Sequence, residues 1–417
     1  MENAIFVKGL EDILHPISLE SFFSTYYEKK VCLIKRGNHD YFKSLLNVNH
    51  LDDYLTNRTI QFPKIRMVDY NRELKSESYT NANGTVNAVN AIKEFHNGAT
   101  LVFSGLQDQL ENMKYLVDTV SRDLWHKLQT NIYFTPMNSQ GFRAHYDTHD
   151  VFVLQTSGRK KWYIFDNDEM KLPLKTQSFE VDKYNPGNII QEFILEEGDT
   201  LYIPRGVFHC AETLDSHSMH ITLGLLAVTW SDFLVENILN LSKKLPELRA
   251  NVPFHVNNDG DNQSIAEVLL DLIKNNISYN SSERRFKQDL TQNQIPVLKN
   301  QLAQVSLISQ INEDTLFELR DNILFTEKET DSEVEIFIMG NKSIFPVFTK
   351  PIIDFIKKAT EPFTVNDLPE VIDSNGKITL MKRLTKEGFV FIKNLKNKKN
   401  NEEYDLSIAN SVPSYMG

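Results

Sequence analysis

The stretch GDTLYIPRGVFHCAE, residues 198 to 212, contains the turn and strand signals that decide the fold of this chain. Gly198 and Asp199 open a strand after one turn, and Pro204 and Gly206 impose a second tight turn. His209 follows that turn directly. The spacing G-x5-P-x-G-x2-H is specific, because several fixed positions must agree at once.

Short β-rich runs surround this stretch between about Asn131 and Val228. NIYFTP, HDVFVLQTSG, KKWYIFD, EFILEEGDTLYIP and HSMHITLGLLAV are separated by Gly, Pro and Asp turns, as in an antiparallel barrel or sandwich. The spacing around His209 is similar to the second signature of the cupin β-barrels. We therefore predict a mainly β catalytic core with the double-stranded β-helix, or jelly-roll, fold.

A second informative stretch, HYDTHD, begins at His145 and contains four candidate metal ligands. Alternate residues of a strand share a face, so His145 and Asp147 can converge on one metal ion. His149 lies about 13 Å from His145 along a strand, too far for the same ion, and Asp150 has the opposite parity. With His209 as the third ligand, the sequence predicts a metal site of two histidines and one aspartate.

This set of ligands matches the facial triad of non-haem Fe(II) oxygenases, which leaves open positions on the metal. A zinc hydrolase can use the same residue types. Barrel residues that are satisfied by hydrogen bonds are the structural alternative, which the second signature disfavours. Cys32 and Cys210 are the only two cysteines, so neither a disulfide framework nor a Cys-rich zinc site is expected.

Helical patterns flank the predicted core. Ser18 caps a helix that leads into the strand-like run VCLIK, and residues 110 to 129 have the apolar spacing of an amphipathic helix. We place the catalytic domain at residues 1–235 and a helical dimerisation region at 236–310, whose apolar helix faces a second subunit would cover. Short helices and a Gly-turned strand in residues 311–417 predict an α+β winged-helix-like domain.

Composition restricts the partners of the protein. The 417 residues carry a formal net charge of −11, which makes nucleic acid an unlikely partner and a basic protein or peptide a suitable one. No apolar run approaches the roughly 20 residues of a membrane-spanning helix, and the first residues lack the pattern of a secretory signal. We therefore expect no membrane contact and a cytoplasmic location.

Four stretches resemble the JmjC-type Fe(II)- and 2-oxoglutarate-dependent oxygenases, in particular their ribosomal oxygenase branch. They are FFSTYYEKKVCLIKRG, NIYFTPMNSQGFRAHYDTHDVFVLQTSGRKKWYIFD, EEGDTLYIPRGVFHCAET and HSMHITLGL, between about residues 18 and 235. The resemblance implies Fe(II) and 2-oxoglutarate as cofactors, a homodimer formed by the helical region, and a C-terminal winged helix. It also implies that the enzyme hydroxylates side chains of ribosomal proteins.

The resemblance also assigns roles to individual residues. The family's iron ligands correspond to His145, Asp147 and His209. Lys160 corresponds to the basic residue that pairs with the distal carboxylate of 2-oxoglutarate, and Tyr133 to a hydroxyl that assists it. Thr222, a third cofactor-binding candidate, is retained. Gly224 stands where relatives often have a serine, so the contacts there are expected to differ.

We predict hydroxylation of an amino-acid side chain in a protein or peptide. The same chemistry leaves open demethylation of methyl-lysine or methyl-arginine, and hydroxylation of a natural-product precursor peptide. The alternative from another functional class is a non-catalytic, metal-binding cupin that binds DNA through its winged helix and acts as a regulator. In that case phosphates would contact Lys377, Lys382, Arg383 and Lys386, although a solvated amphipathic helix explains these residues more simply.

Overall fold

The computed structural model describes residues 7–180, 183–252, 259–294, 298, 300–320, 323–396 and 403–405. The chain divides into two compact units, Met1–Ala227 and Val228–Gly417. The finer division into three parts at residues 235 and 310 stays a prediction.

The first unit contains the predicted β-rich core. Its described helices are α1 (Leu10–Leu14), α2 (Leu19–Thr25), α3 (Val48–Asn57), α4 (Ala88–His96) and α5 (Glu111–Leu124). Its described strands are β1 (Cys32–Ile34), β2 (Ile65–Val68), β3 (Thr100–Ser104), β4 (Lys127–Thr135), β5 (Asp150–Phe165), β6 (Ile189–Leu195), β7 (Thr200–Ile203) and β8 (His209–Leu226). They form an antiparallel sheet in the order β1-β7-β5-β8-β4-β3-β2, with β6 paired to β5. This topology confirms the predicted jelly-roll core.

The long strands β5 and β8 contribute to both halves of the jelly roll. Residues 151–154 of β5 pair with β7, whereas residues 160–165 pair with β6, and β8 accompanies both segments. Register shifts between these segments bend the strand. Gly158 permits the bend, because its φ is +64° and a Cβ there would lie 1.9 Å from the carbonyl oxygen of His217. The segment beyond the bend begins with Lys160.

The start of the first unit follows the sequence pattern closely. The Ser18 hydroxyl accepts a hydrogen bond from the backbone N–H of Ser21, so it caps α2 as predicted. Phe22 on this helix packs against Phe152 and Tyr202 of the sheet, with ring centroids 5.7 and 4.9 Å away. The predicted helix over residues 110 to 129 was too long. It ends because Trp125 adopts a left-handed conformation with φ +52°, and β4 follows.

The second unit combines helices with two small sheets. Its described helices are α6 (Trp230–Lys244), α7 (Asp259–Asn276), α8 (Tyr279–Gln292), α9 (Gln301–Gln304), α10 (Lys350–Lys358) and α11 (Ser374–Lys386). Its described strands are β9 (Leu316–Leu319), β10 (Phe325–Glu329), β11 (Glu333–Ile338), β12 (Asn341–Pro346), β13 (Val390–Lys396) and β14 (Glu403–Asp405). The sheet orders are β10-β11-β12 and β14-β13-β9. Helices and sheets together agree with the predicted α+β character, and the winged-helix topology stays a prediction.

Apolar side chains from both sheets and from α10 and α11 form the core of this unit, among them Phe317, Phe345, Ile353, Met381 and Phe389. Residues 397–402 and 406–417 of the predicted C-terminal domain lie outside the described residues. None of the described helices combines the length and the apolar character that a bilayer-spanning segment needs.

Candidate active site

His145 and His209 face each other across an isolated antiparallel bridge. The backbone N–H of His145 donates to the carbonyl oxygen of His209 at 3.0 Å, and the reverse hydrogen bond is 2.8 Å long. The N–H of Gly206, in the predicted tight turn, donates to the carbonyl oxygen of Asp147 at 2.9 Å. The predicted continuous strand through HYDTHD was wrong, because β5 begins only at Asp150. The bridge and the turn, rather than strand parity, bring the three residues together.

The side chains of His145, Asp147 and His209 form a compact set of metal-binding atoms. One ligand atom from each lies within 4.8 Å of the other two, and Nε2 of His209 is 3.8 Å from Oδ2 of Asp147. The structure thus brings together the three residues that the sequence analysis selected as ligands. The arrangement fits a divalent metal ion that prefers imidazole and carboxylate ligands.

Backbone contacts orient both imidazole rings. Nδ1 of His145 lies 2.8 Å from the carbonyl oxygen of Arg143, and Nδ1 of His209 lies 3.0 Å from that of Val207. A proton on Nδ1 satisfies each carbonyl and leaves the Nε2 lone pair free for a metal. Burial, together with the nearby His145, lowers the pKa of His209 to about 4. His209 is therefore neutral near pH 7, as a metal ligand must be.

Lys160 lies in the small pocket that the three ligand residues also line. Only 5% of the residue is exposed. Its ammonium group donates to Oγ1 of Thr135 at 3.0 Å, and this oxygen lies 3.1 Å from Oγ1 of Thr100. Burial lowers the pKa of Lys160 to about 7. Within the described ranges no carboxylate pairs with this lysine, so the pocket favours the binding of an anion.

Aromatic residues form the wall of the same pocket. Tyr133 stacks on His220 with ring centroids 4.9 Å apart, and Trp162 packs edge-on against His220 at 5.7 Å. Nε1 of Trp162 and Nδ1 of His220 are buried, and neither has a hydrogen-bond partner among the described residues. Burial, and secondarily Asp147, raises the pKa of Tyr133, so its hydroxyl remains a hydrogen-bond donor. The predicted cofactor-binding residues Tyr133 and Thr222 thus line the pocket that contains Lys160.

A larger cavity of about 900 Å³ adjoins the three ligand residues, and we call it the large cavity. His149, Thr222 and the cations Arg66 and Arg143 also line it. Asp150 lines neither this cavity nor the pocket of Lys160. It is fully buried and accepts a hydrogen bond from the Tyr202 hydroxyl at 2.6 Å.

Sequence patterns did not identify Thr100, which lines the pocket, or Thr135, whose hydroxyl accepts a hydrogen bond from the ammonium group of Lys160. Thr135 has the same strand parity as Tyr133 in NIYFTP, so alternation along β4 was a usable signal. Thr100 lies in no motif. The pairing of β3 with β4 brings it to the site, and no pattern within one strand reports that pairing.

Comparison with known protein families supports the same part of the chain. The family model of the JmjC domain matches residues 106–233, which include the three ligand residues, Lys160, Tyr133 and Thr222.

Similar proteins are found among curated sequences. The bifunctional lysine-specific demethylase and histidyl-hydroxylase NO66 of Aedes aegypti is 33% identical over 228 residues, which are 53% of this chain. Ribosomal oxygenase 1 of Danio rerio is 31% identical over 249 residues, or 54% of this chain. The matched region spans only 35% and 42% of the lengths of these two relatives.

Solved structures share the fold over most of the chain. The Escherichia coli ribosomal oxygenase YcfD superposes with a TM-score of 0.53 at 16% identity, and the match covers 90% of this chain and 98% of YcfD. YcfD in complex with cobalt and 2-oxoglutarate gives a TM-score of 0.51 at 15% identity, with 91% and 99% coverage. At such low identity these similarities establish the fold alone.

Proposed function

We propose that this chain, which matches the JmjC domain over residues 106–233 and is similar to the ribosomal oxygenases, is a 2-oxoglutarate-dependent dioxygenase that hydroxylates a protein side chain. One observation carries the proposal. A compact His-Asp-His set and a buried lysine without a carboxylate partner among the described residues line the same pocket. A metal site and an anion site side by side suit a cosubstrate that combines a chelating group with a distant carboxylate.

The residues present fit Fe(II). His145, Asp147 and His209 would hold the ion, since their ligand atoms are close together and both Nδ1 atoms are already engaged by backbone carbonyls. When bound, Fe(II) and 2-oxoglutarate would activate dioxygen, so that one oxygen atom hydroxylates an unactivated C–H bond and the other enters succinate as 2-oxoglutarate loses carbon dioxide. A relative of the same fold, YcfD, has been crystallised with cobalt and 2-oxoglutarate, which supports this choice of metal site and cosubstrate.

The remaining residues of the pocket bind and orient the cosubstrate. Lys160 would pair with the distal carboxylate, and Thr135 would hold the ammonium group in place. Tyr133 and Thr222 offer hydroxyl groups beside it. The aromatic wall of Trp162 and His220 excludes water, which strengthens the ion pair that forms.

The substrate we propose is a ribosomal protein, as the names of the relatives suggest. The net charge of −11 suits a basic protein of this kind. We further propose a homodimer, because exposed apolar side chains such as Trp230, Val235 and Leu239 on α6 need a cover. A cytoplasmic location, where ribosomal proteins are made, is consistent with this assignment.

A second candidate is removal of methyl groups from lysine. It is favoured by the name of the Aedes aegypti relative, which includes lysine-specific demethylase as well as histidyl-hydroxylase. Demethylation uses the same cofactors, and it differs in releasing formaldehyde from the substrate.

Two measurements test the proposal. Anaerobic addition of 2-oxoglutarate to the Fe(II)-loaded protein is expected to produce a metal-to-ligand charge-transfer absorption band. Incubation with total ribosomal proteins is then expected to yield succinate and one peptide whose mass increases by one oxygen atom.

The control is His209→Ala, which removes one ligand and is expected to abolish both the band and the modified peptide. A wild-type protein that shows neither would contradict the dioxygenase assignment. A substrate that loses a methyl group and releases formaldehyde would instead identify a demethylase.

A further inference from the structure

Gly224 occupies a position of β8 from which a side chain would point into the large cavity. Alternate residues of a strand share a face, and Thr222, two positions earlier, lines that cavity. Gly224 pairs with Gln129 of β4 and Val151 of β5, so it lies in the interior of the sheet. Glycine weakens a central strand, and it often marks a place where another group approaches the backbone closely.

The imidazole of His149 fills the space that the missing side chain leaves. A Cβ on Gly224 would lie 2.2 Å from Cδ2 and 2.5 Å from Nε2 of His149, whereas ordinary contacts are about 3.5 Å or longer. Any larger residue at position 224 therefore displaces this ring. His149 lines the large cavity together with His145 and Asp147.

His149 has hydrogen-bonding capacity that its own chain does not use. No hydrogen bond joins its imidazole to another residue in the described part of the chain. The ring edge with Cδ2 and Nε2 contacts Gly224, so the edge that contains Nδ1 is turned away from β8. A neutral imidazole donates one hydrogen bond and accepts another, so this edge can bind a polar group in the cavity.

We propose that His149 is a specificity-determining residue that hydrogen-bonds a polar group of the substrate side chain. The ring keeps its position because Gly224 has no side chain that would displace it. This inference rests on the proposed function and names the class of side chain that the site takes. That side chain carries an amide, hydroxyl, imidazole or guanidinium group near the carbon to be hydroxylated.

Three variants test the pair: His149→Ala, Gly224→Ala and the double variant. His39→Ala is the control, because His39 is an exposed histidine in the loop that follows β1. The probe is a synthetic peptide that contains the residue modified in the ribosomal-protein experiment. Each single variant is expected to raise the KM for this peptide about 3- to 10-fold, as the loss of one hydrogen bond does. The double variant is expected to match His149→Ala, because no ring is left to displace.

The charge-transfer band with 2-oxoglutarate separates this role from a cosubstrate role, and it is expected to be unchanged in all variants. His149→Ala leaves the backbone of β8 as it is, so it tests the proposal even where Gly224→Ala does not fold. An unchanged peptide KM in His149→Ala, or loss of the band, would overturn the inference.

Failure of the proposed function gives a different result. In that case the wild-type protein modifies no ribosomal protein at all, and the proposed role of His149 is overturned together with the proposed function. Wild-type turnover with an unaltered KM in the variants overturns the role of His149 alone.

Discussion

Two lysines are buried almost equally in this molecule, yet their surroundings differ. Lys377 in the second unit is 2% exposed, and its ammonium group donates to the Leu368 carbonyl oxygen at 2.9 Å and to Glu370 at 2.5 Å. Lys160 in the first unit is 5% exposed and donates to the hydroxyl of Thr135. The first lysine is satisfied by its own chain. The second lacks a counter-ion among the described residues, which is the condition expected of a binding site.

This difference distinguishes a structural buried charge from a functional one. A buried cation with its own partners contributes to folding, whereas one without a counter-ion raises the free energy of the folded state until an anion binds. Replacing each lysine by methionine should therefore have opposite consequences.

The largest effect is expected from Lys160→Met. The affinity for 2-oxoglutarate should fall about 10- to 100-fold, since a charge-assisted hydrogen bond is lost. The free energy of unfolding of the ligand-free protein should not fall, because an apolar group now fills a site where a charge was costly. Isothermal titration of the Mn(II)-loaded protein and thermal unfolding measure the two quantities. A strongly destabilised variant would place Lys160 with Lys377 as a structural residue.

The next effect is a pH dependence of cosubstrate binding. The pKa of Lys160 is lowered to about 7 in the free protein, so above that pH the anion binds only if the lysine takes up a proton. The Kd for 2-oxoglutarate should then rise by up to about tenfold per pH unit. Titrations at several pH values measure it. Lys160→Arg is the control, because a guanidinium stays charged and its Kd should be flat over the same range.

The same shift predicts how stability changes with pH in the ligand-free protein. The pKa of Lys160 is lower in the folded state than its ordinary value of 10.5, so the unfolded state binds more protons between these two pH values. The free energy of unfolding attributable to Lys160 therefore rises with pH, by at most about 1.4 kcal/mol per unit. Comparing denaturant unfolding of the wild type and Lys160→Met at pH values from about 7 to 10 isolates this contribution.

A smaller effect is expected from Thr135→Val, which removes the hydroxyl that positions the ammonium group. The affinity for 2-oxoglutarate should fall about 3- to 10-fold, since one hydrogen bond is lost while the charge remains. Thr379→Val is a matched control, because Thr379 is exposed and, among the described residues, its hydroxyl bonds only to the Asn375 carbonyl oxygen of the same helix. Equal affinities of the two variants would show that Thr135 does not orient the lysine.

The smallest effect is expected from Lys377→Met. It leaves the Leu368 carbonyl oxygen without this donor and should lower the free energy of unfolding by about 1 kcal/mol. The pair with Glu370 adds little, because that carboxylate side chain is 84% exposed. Denaturant unfolding measures the loss. Binding of 2-oxoglutarate should not change. If it does, the two lysines do not differ in function as proposed.

The β-rich core and the residues of the metal-binding set were predictable from the sequence. Alternation of apolar residues marks strands, and the turn at Pro204 and Gly206 fixes where His209 begins β8. The error at HYDTHD is instructive, because the three predicted ligand residues lie together although the strand is absent. The bridge between His145 and His209 brings these two ligand residues together, whereas a continuous strand was expected to align His145 and Asp147.

The surroundings of the site were not predictable in the same way. Thr100 reaches Thr135, and thereby Lys160, through the pairing of β3 with β4. The contact of His149 with Gly224 likewise depends on the register of β5 and β8. Both arise between strands that are distant in sequence, so no local pattern contains them.

The most direct test of the account is the number of protons taken up when 2-oxoglutarate binds. Calorimetric titrations of the Mn(II)-loaded protein in two buffers of different ionisation enthalpy measure this number at about pH 8.5. We predict uptake of about one proton per ligand in the wild type and none in Lys160→Arg. Binding without proton uptake by the wild type would contradict the claim that Lys160 is a buried, largely neutral lysine that becomes charged to hold the cosubstrate.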